Sequence, residues 1–359
     1  MKRKRKIVFI IPRLNIWGGA EKIIHTIINH MDFDKYDITL ILFENKGDLL
    51  KTLDKRVNLK VLNVSKIRYN LLKLLPYLHK YKPDIVFTGW GEVSAYLAPF
   101  IPLFPKTKFV ARETNIVSQH VTRKEILFFY KFYNNFNHII AQSKDMKSDL
   151  IENFKIPNNK LILINNPIDF NDLEKKTKQE KCPKEFNTTS KNVVAVGNVS
   201  YRKGFDNLLK VFTYLKEENI HLHIIGEGPN KETFMEFKEK NNLEKVHFLG
   251  RKLNPYPYLK YADLFVLSSR YEGFPNVLLE AGAVGTYSLA NDCKGGINEI
   301  IVDGQNGEIA NIENHQYFAE KIKRTVNQKY DSEKISKSIK ERFGIEVIIP
   351  KYLDFFDSI

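Results

Sequence analysis

Cysteine is nearly absent from this chain. Cys182 and Cys293 are the only two in 359 residues, and neither sits in a CxxC pair. That excludes a disulfide framework and a cysteine-built zinc site, and leaves reduced thiols as the expectation. No apolar run approaches the ~18 residues that a membrane-spanning helix needs. The glycines form no GxGxxG, and no acidic residue stands out after the second strand pattern, so the dinucleotide fingerprint is missing. The basic opening MKRKRKIVFIIP has no small-residue cleavage site and runs into Pro12 and a glycine loop. It reads as a strand, and a cytoplasmic location is expected. Negative charge is short in the first half alone: residues 1–168 hold 28 Lys+Arg against 14 Asp+Glu, and residues 169–359 hold 28 against 28. The whole +14 excess therefore lies in the first half. Such an excess suits an anionic partner, which is a membrane surface, a phosphorylated substrate or a nucleic acid; the plainer alternative is charge for solubility.

Short apolar runs alternating with helical patterns are abundant. The length suits two domains, each with its own core. In the first, KIVFIIP is followed by the Gly18-Gly19 turn and by apolar residues at Ile23, Ile24, Ile27, Ile28 and Met31, the spacing of an amphipathic helix. Strands are expected near 37–43, 59–64, 84–90, 107–112, 138–143 and 161–167, and helices near 47–55, 69–80 and 144–153. A further helical segment, 122–137, is loaded with Phe128, Phe129, Tyr130, Phe132, Tyr133 and Phe136 among Lys and Arg. These rings either pack on the sheet or lie on a lipid headgroup layer. Such alternation predicts parallel sheets covered by helices on both faces, that is, Rossmann-like domains. Polar residues 169–191 read as the linker. From Glu313 the chain reads as mostly helical, with Pro350 expected to kink or break the last helix.

The densest chemistry lies between Asp263 and Ile300. An apolar run ends in Ser268-Ser269, a loop follows, and Pro275 stands where a helix can begin. In an open α/β sheet that loop lies at the carboxyl end of its strand, where ligands bind, and the helix head offers N–H groups to a phosphate. Glu272 and Glu280, eight residues apart, frame the site. An ionised carboxylate can accept two hydroxyl protons at once, which suits a vicinal diol of a sugar. Alone, such a pair would be solvated surface charge; the glycine loops at Gly273 and at Gly295-Gly296 converging beside it point to a ligand.

With these residues in view, EGFPNVLLEA followed by GGINEIIVDGQNG resembles the donor-binding half of the retaining family 4 glycosyltransferases. The resemblance implies a GT-B fold, α/β with two Rossmann-like domains facing each other across a cleft. It places residues 1–168 in an acceptor-binding domain, with helix 345–359 packing back on it, and residues 169–344 in a nucleotide-sugar-binding domain. It gives Glu272 to the donor sugar, Glu280 to the ribose, and Gly273, Phe274, Pro275, Asn276, Val277 and Gly296 to donor contacts. Gly226 and Gly228 would lie under the nucleotide, Arg251 and Leu253 by the base, and Gly18 and Gly19 on the donor's other side. The family's Gly-Arg-Leu, three residues, Lys-Gly reads here Gly197-Asn198-Val199, three residues, Lys203-Gly204. Lys203 is therefore expected to hold the diphosphate, with Arg202 supplying the charge that Asn198 lacks. A first-domain histidine common in relatives is absent near Arg112, Glu113 and Asn115, which are taken as acceptor-binding residues.

The implied activity is metal-independent, retaining transfer of a hexosyl or N-acetylhexosaminyl group, with a UDP-sugar as donor and no cofactor. The acceptor would be a lipid-linked or polysaccharide hydroxyl in cell-surface glycan synthesis, for example lipopolysaccharide or capsule. The basic first domain is expected to lie peripherally on the inner face of the cytoplasmic membrane. A sugar-nucleotide epimerase of the same fold is the rival reading. A nucleic-acid partner is disfavoured, since no basic recognition helix or RNP-like strand is present. His221 and His223 share a strand face without a third ligand nearby and read as packing or surface residues. Asp32-Phe33-Asp34 resembles the metal-binding Asp-x-Asp of another glycosyltransferase class, but its polar turn argues against that role.

Overall fold

A computed structural model describes residues 3–16, 18–64, 66–178 and 181–359. Lys2 of the amino-terminal basic cluster lies outside them. The chain divides into two compact units: the residues up to Pro167 together with Glu346–Ile359, and Ile168–Ile345.

The first unit is built on seven strands: β1 (Arg5–Ile11), β2 (Tyr36–Leu42), β3 (Asn58–Val61), β4 (Ile85–Thr88), β5 (Lys108–Arg112), β6 (His138–Ala141) and β7 (Leu161–Leu163). All pair in parallel, in the order β3-β2-β1-β4-β5-β6-β7. Residues Ile7 to Ile11 have no exposure at all, as a central strand covered on both faces requires, which is why β1 reads as an unbroken apolar run. The helix Gly19–Asn29 buries Ile23, Ile24, Ile27 and Ile28, the stripe that its spacing implied.

The last helix, Ile345–Ser358, runs through Pro350 without ending there. Ile348, Tyr352 and Phe356 are fully buried along it, and that packing outweighs the loss of one helical hydrogen bond at the proline. The Phe356 ring meets Phe87 at 5.6 Å and Phe9 at 6.0 Å. Arg5 fastens the helix end by donating to the Phe356 carbonyl at 2.8 Å.

In the second unit, β8 (Lys191–Val196), β9 (Ile220–Ile225), β10 (Val246–Gly250), β11 (Leu264–Leu267), β12 (Ser288–Asn291) and β13 (Gly307–Ala310) form a parallel sheet ordered β10-β9-β8-β11-β12-β13. The strand β13 is one that the sequence pattern did not single out: its four residues, Gly-Glu-Ile-Ala, are too short and too mixed to show a period.

Three expectations need correction. Residues 47–55 give only a 3-10 turn, Asp48–Thr52, with no buried residue to hold a longer helix. The aromatic segment breaks into the helix Lys124–Tyr130 and the 3-10 turn Tyr133–Asn135. Its rings divide: Tyr130, Tyr133 and Phe136 are buried, and Phe128 and Phe132 are exposed. The supposed linker contains the helix Phe170–Thr177, capped by the Asp169 carboxylate, which accepts from the N–H groups of Asn171 and Asp172. Leu173 and Phe186 are buried in the second unit's core, so much of that segment is folded domain.

His221 and His223 pack in a cluster with His247, ring centroids 5.1 to 6.3 Å apart, with His221 Nδ1 2.9 Å from His247 Nε2 and His223 Nε2 3.0 Å from Asn192 Oδ1. Burial pulls His223 down to about 3, so it is neutral at physiological pH. Asp32 uses its carboxylate to close a turn, accepting from the N–H of Asp34 at 2.9 Å.

At the carboxyl end of β5, Glu113 is buried against Tyr130 and Tyr133, whose hydroxyls both donate to its carboxylate. Burial pushes this carboxyl up to about 7 from its ordinary 4.5, although the tyrosine hydroxyls pull the other way. The folded state thus keeps a proton that the unfolded chain releases. The stabilisation from it is complete below about pH 4.5 and is lost as pH rises through 7. Glu113→Gln should therefore be the more stable protein above pH 7, by up to roughly 3 kcal/mol, and match wild type below pH 4.5. Urea titrations across this range measure the difference; profiles that stay parallel would remove Glu113 as the titrating group.

Candidate active site

Five strand ends meet at one edge of the second unit. Each of β8, β9, β10, β11 and β12 gives out into a loop, and backbone hydrogen bonds fix the loops to one another. Gly197 N–H donates to Ile225 at 3.0 Å, Gly226 N–H to Gly250 at 2.9 Å, Arg270 N–H to Arg202 at 2.9 Å and Glu272 N–H to Lys294 at 2.9 Å. Gly204, at φ +64°, lets the β8 loop turn under the β11 loop, where a Cβ would collide with the Ser268 carbonyl. Ser268 Oγ in turn donates to the Lys203 carbonyl at 2.7 Å.

At the centre lies Glu272, 5% exposed. Lys203 Nζ stands 2.6 Å from its Oε1, and Arg202 Nη1 stands 2.9 Å from its Oε2. Ser269 Oγ adds a 2.6 Å hydrogen bond to Oε1. Burial alone would raise the Glu272 carboxyl; the Lys203 and Arg202 cations overcome it and hold the group at about 2. Burial also draws the Lys203 ammonium below its ordinary value, with Glu272 pulling it back. The result is a fixed cluster of two cations and one carboxylate. Lys203 stands at the head of the helix Phe205–Thr213, whose dipole adds to the positive field.

Glu280 lies in the helix Asn276–Ala283, which starts after Pro275, and is half-buried, accepting from Tyr256 Oη at 3.3 Å. Gly273, Phe274 and Pro275 are buried in the turn between the two glutamates, with Asn276 and Val277 half-buried on the first helical turn. Gly296 heads the short helix Ile297–Ile300 beside them. Gly226 and Gly228 form the β9 loop, and Asn198 is exposed above Gly228, so close that a Cβ there would meet its Oδ1. Arg251 and Leu253 follow β10; Leu253 is 76% exposed, an apolar surface at a strand end. Sequence reasoning missed Ser269 and Tyr256 as partners of the two glutamates. Ser269 stands only three residues before Glu272 in the same loop, and its hydroxyl reaches the carboxylate there.

In the first unit, Gly18 caps the helix Gly19–Asn29, and the buried Glu21 carboxylate folds back over it. The three residues taken as acceptor contacts are placed differently from one another. Arg112 has no exposure: its guanidinium donates to Tyr352 Oη at 3.1 Å and Asn166 Oδ1 at 2.5 Å, which ties β5 to the last helix. Glu113 is enclosed by its tyrosines. Of the three, Asn115 alone keeps its side chain partly exposed.

Comparison with known proteins places both units in a family. The family model described as Glycosyltransferase Family 4 matches residues 17–172, and that described as Glycosyl transferases group 1 matches residues 176–342. An uncharacterized glycosyltransferase of Methanocaldococcus jannaschii is 30% identical over 253 residues, covering 66% of this chain and 62% of that relative. The N-acetylgalactosamine-N,N'-diacetylbacillosaminyl-diphospho-undecaprenol 4-alpha-N-acetylgalactosaminyltransferase of Campylobacter jejuni is 27% identical over 327 residues, 85% of this chain and 86% of its own. The solved structure of Anabaena HepE with UDP and glucose superposes with a TM-score of 0.79 at 20% identity, covering 99% of this chain and all of that one. With one family model on each of its two Rossmann-like units, the chain belongs to the family 4, group 1 glycosyltransferases and has their GT-B fold.

Proposed function

We propose that this glycosyltransferase moves a hexosyl or N-acetylhexosaminyl group from a UDP-sugar to a hydroxyl of a lipid-linked or polysaccharide acceptor, with retention of configuration and without a metal ion. The observation that carries the donor side is the convergence of Lys203 and Arg202 on one buried carboxylate at the strand ends. A nucleoside diphosphate leaving group gains negative charge as the glycosidic bond breaks. Cations fixed beforehand stabilise that charge without reorganising. Glu272 holds the cations in place and offers acceptor oxygens to the sugar hydroxyls, Glu280 takes the ribose diol, and Leu253 with Arg251 receives the base. Support for UDP comes from HepE, solved with UDP and glucose. Support for a lipid-linked acceptor comes from the Campylobacter relative, whose name specifies a diphospho-undecaprenol carrier. Asn115 faces the acceptor, with Arg112 and Glu113 holding its segment from behind. Cytoplasmic residence on the inner face of the membrane, in surface-glycan synthesis, follows from that acceptor.

Glu280→Ala and Lys203→Ala should each lower transfer by about 10²-fold or more. Glu280→Ala should also keep wild-type melting, since its half-buried carboxylate is no part of the core. UDP-sugar turnover with each variant measures this, and wild-type rates in either would remove that residue from the site. Product analysis also separates transfer from epimerisation: a new epimer without acceptor glycosylation would replace the proposed activity.

The position of the second cation is open to a swap experiment. Arg202→Gln should weaken UDP binding and slow transfer by about tenfold or more, and adding Asn198→Arg should restore a good part of both. Calorimetry with UDP reads the binding directly; no loss in Arg202→Gln would leave Lys203 as the sole diphosphate cation. Chelation by EDTA should leave the rate unchanged, and a loss reversed by magnesium or manganese would transfer the charge-neutralising role to a metal.

A further inference from the structure

One face of the first unit's sheet is covered by the helix Ile67–Tyr81, the 3-10 segment Ala98–Leu103, the helix Lys124–Tyr130 and the turn Tyr133–Asn135. Their inward residues, among them Leu74, Leu78, Ile101, Ile126 and Tyr133, join a single apolar cluster with Val8, Val86, Phe109 and Ile139 of the strands. Their outward sides are unlike the rest of the unit. Among the described residues, seven large hydrophobic side chains of the first unit are exposed, and five lie here: Tyr69 (48%), Leu72 (77%), Leu103 (66%), Phe128 (52%) and Phe132 (36%). Cations stand among them. Arg68 covers the Tyr69 ring at 4.9 Å, Lys131 covers Phe128 at 5.5 Å, and Lys66, Lys80, Lys106 and Lys124 are exposed on the same segments. No carboxylate lies between Lys66 and Lys82. On the helix Lys124–Tyr130 the only one is Glu125, and Glu92 nearby is paired with Arg123 at 2.6 Å.

We propose that this face docks on an anionic lipid surface, with Leu72, Leu103 and Phe128 entering the headgroup layer and the surrounding Lys and Arg meeting lipid phosphates. The inference rests on the reading that the acceptor is lipid-linked, and assigns the surface that brings the enzyme to it. Long basic side chains let their stems lie along apolar surface while the charged ends reach phosphate, which suits a boundary between hydrocarbon and water. A nucleic acid would find the charge but no use for exposed Leu72 and Leu103. A protein partner would not require an excess of one sign.

Flotation of the full chain with phosphatidylcholine vesicles, with and without phosphatidylglycerol, tests the assignment. Wild type should float with the anionic vesicles at low salt, be released in good part when the Debye length falls to about 3 Å near 1 M salt, and stay behind with neutral vesicles. Leu72→Ser with Phe128→Ser should lower partitioning by about tenfold or more, and Tyr214→Ser with Met235→Ser in the second unit should not. Phe128→Trp should shift its fluorescence to the blue on anionic vesicles alone. Failure of wild type to float, or equal flotation of the Leu72/Phe128 double variant, overturns the proposal. Thermal stabilisation by UDP in the same samples keeps the two readings separate: UDP binding without flotation overturns the docking face, and flotation without UDP binding overturns the donor site.

Discussion

Glu272 is the constraint on which the second unit's ligand-binding edge depends. An ionised carboxylate at 5% exposure is untenable without partners, because desolvation of a lone charge costs several kcal/mol. Two cations and a hydroxyl therefore have to be held within hydrogen-bond reach, and they come from two loops that are distant in sequence. That requirement explains why the β8 loop is pinned to the β11 loop at Lys203 and Arg202 through their carbonyls as well as their side chains. The cations are fixed before any ligand arrives. Their openness differs, the Arg202 side chain being 26% exposed and Lys203 12%.

The same cluster gives meaning to the exchange of charge along the β8 loop. Where relatives place arginine, Asn198 sits exposed over Gly228, next to the β9 loop. The arginine this chain does carry, four residues later, lies against Glu272 and 5.8 Å from the Tyr271 ring. Positive charge in this loop therefore lies on the β11 side of the edge, at Arg202, with the neutral Asn198 on the β9 side. A planar guanidinium with several donors can serve a carboxylate and a phosphate at once, which a lysine ammonium does less specifically.

Most strands, the first helix face and the glycine loops were legible because each leaves a local mark: unbroken apolar runs for strands buried on both sides, a 3.6-residue stripe at Ile23 to Ile28, and glycines where loops must pass closely. What sequence did not show depends on the third dimension. The sequence reads Arg112 and Glu113 as acceptor contacts, yet Tyr352, some 240 residues away, and Tyr133 enclose them. The helix Phe170–Thr177 was hidden by polar composition, since one cap at Asp169 and one buried Leu173 are enough to hold eight residues. Pro350 does not break its helix, because the rest of Ile345–Ser358 buries enough apolar surface to carry the chain through it.

The two units have different electrostatic tasks, and their compositions follow. The second must keep one carboxylate ionised inside the protein, which calls for short, fixed ion pairs. The first carries the excess of lysine and arginine, and part of it lies on exposed helix faces beside exposed leucine and phenylalanine. Solubility alone would account for charge but would also select against Leu72 at 77% exposure and Leu103 at 66%. Charge and exposed hydrocarbon on one face find a common use in the proposed docking on an anionic lipid surface.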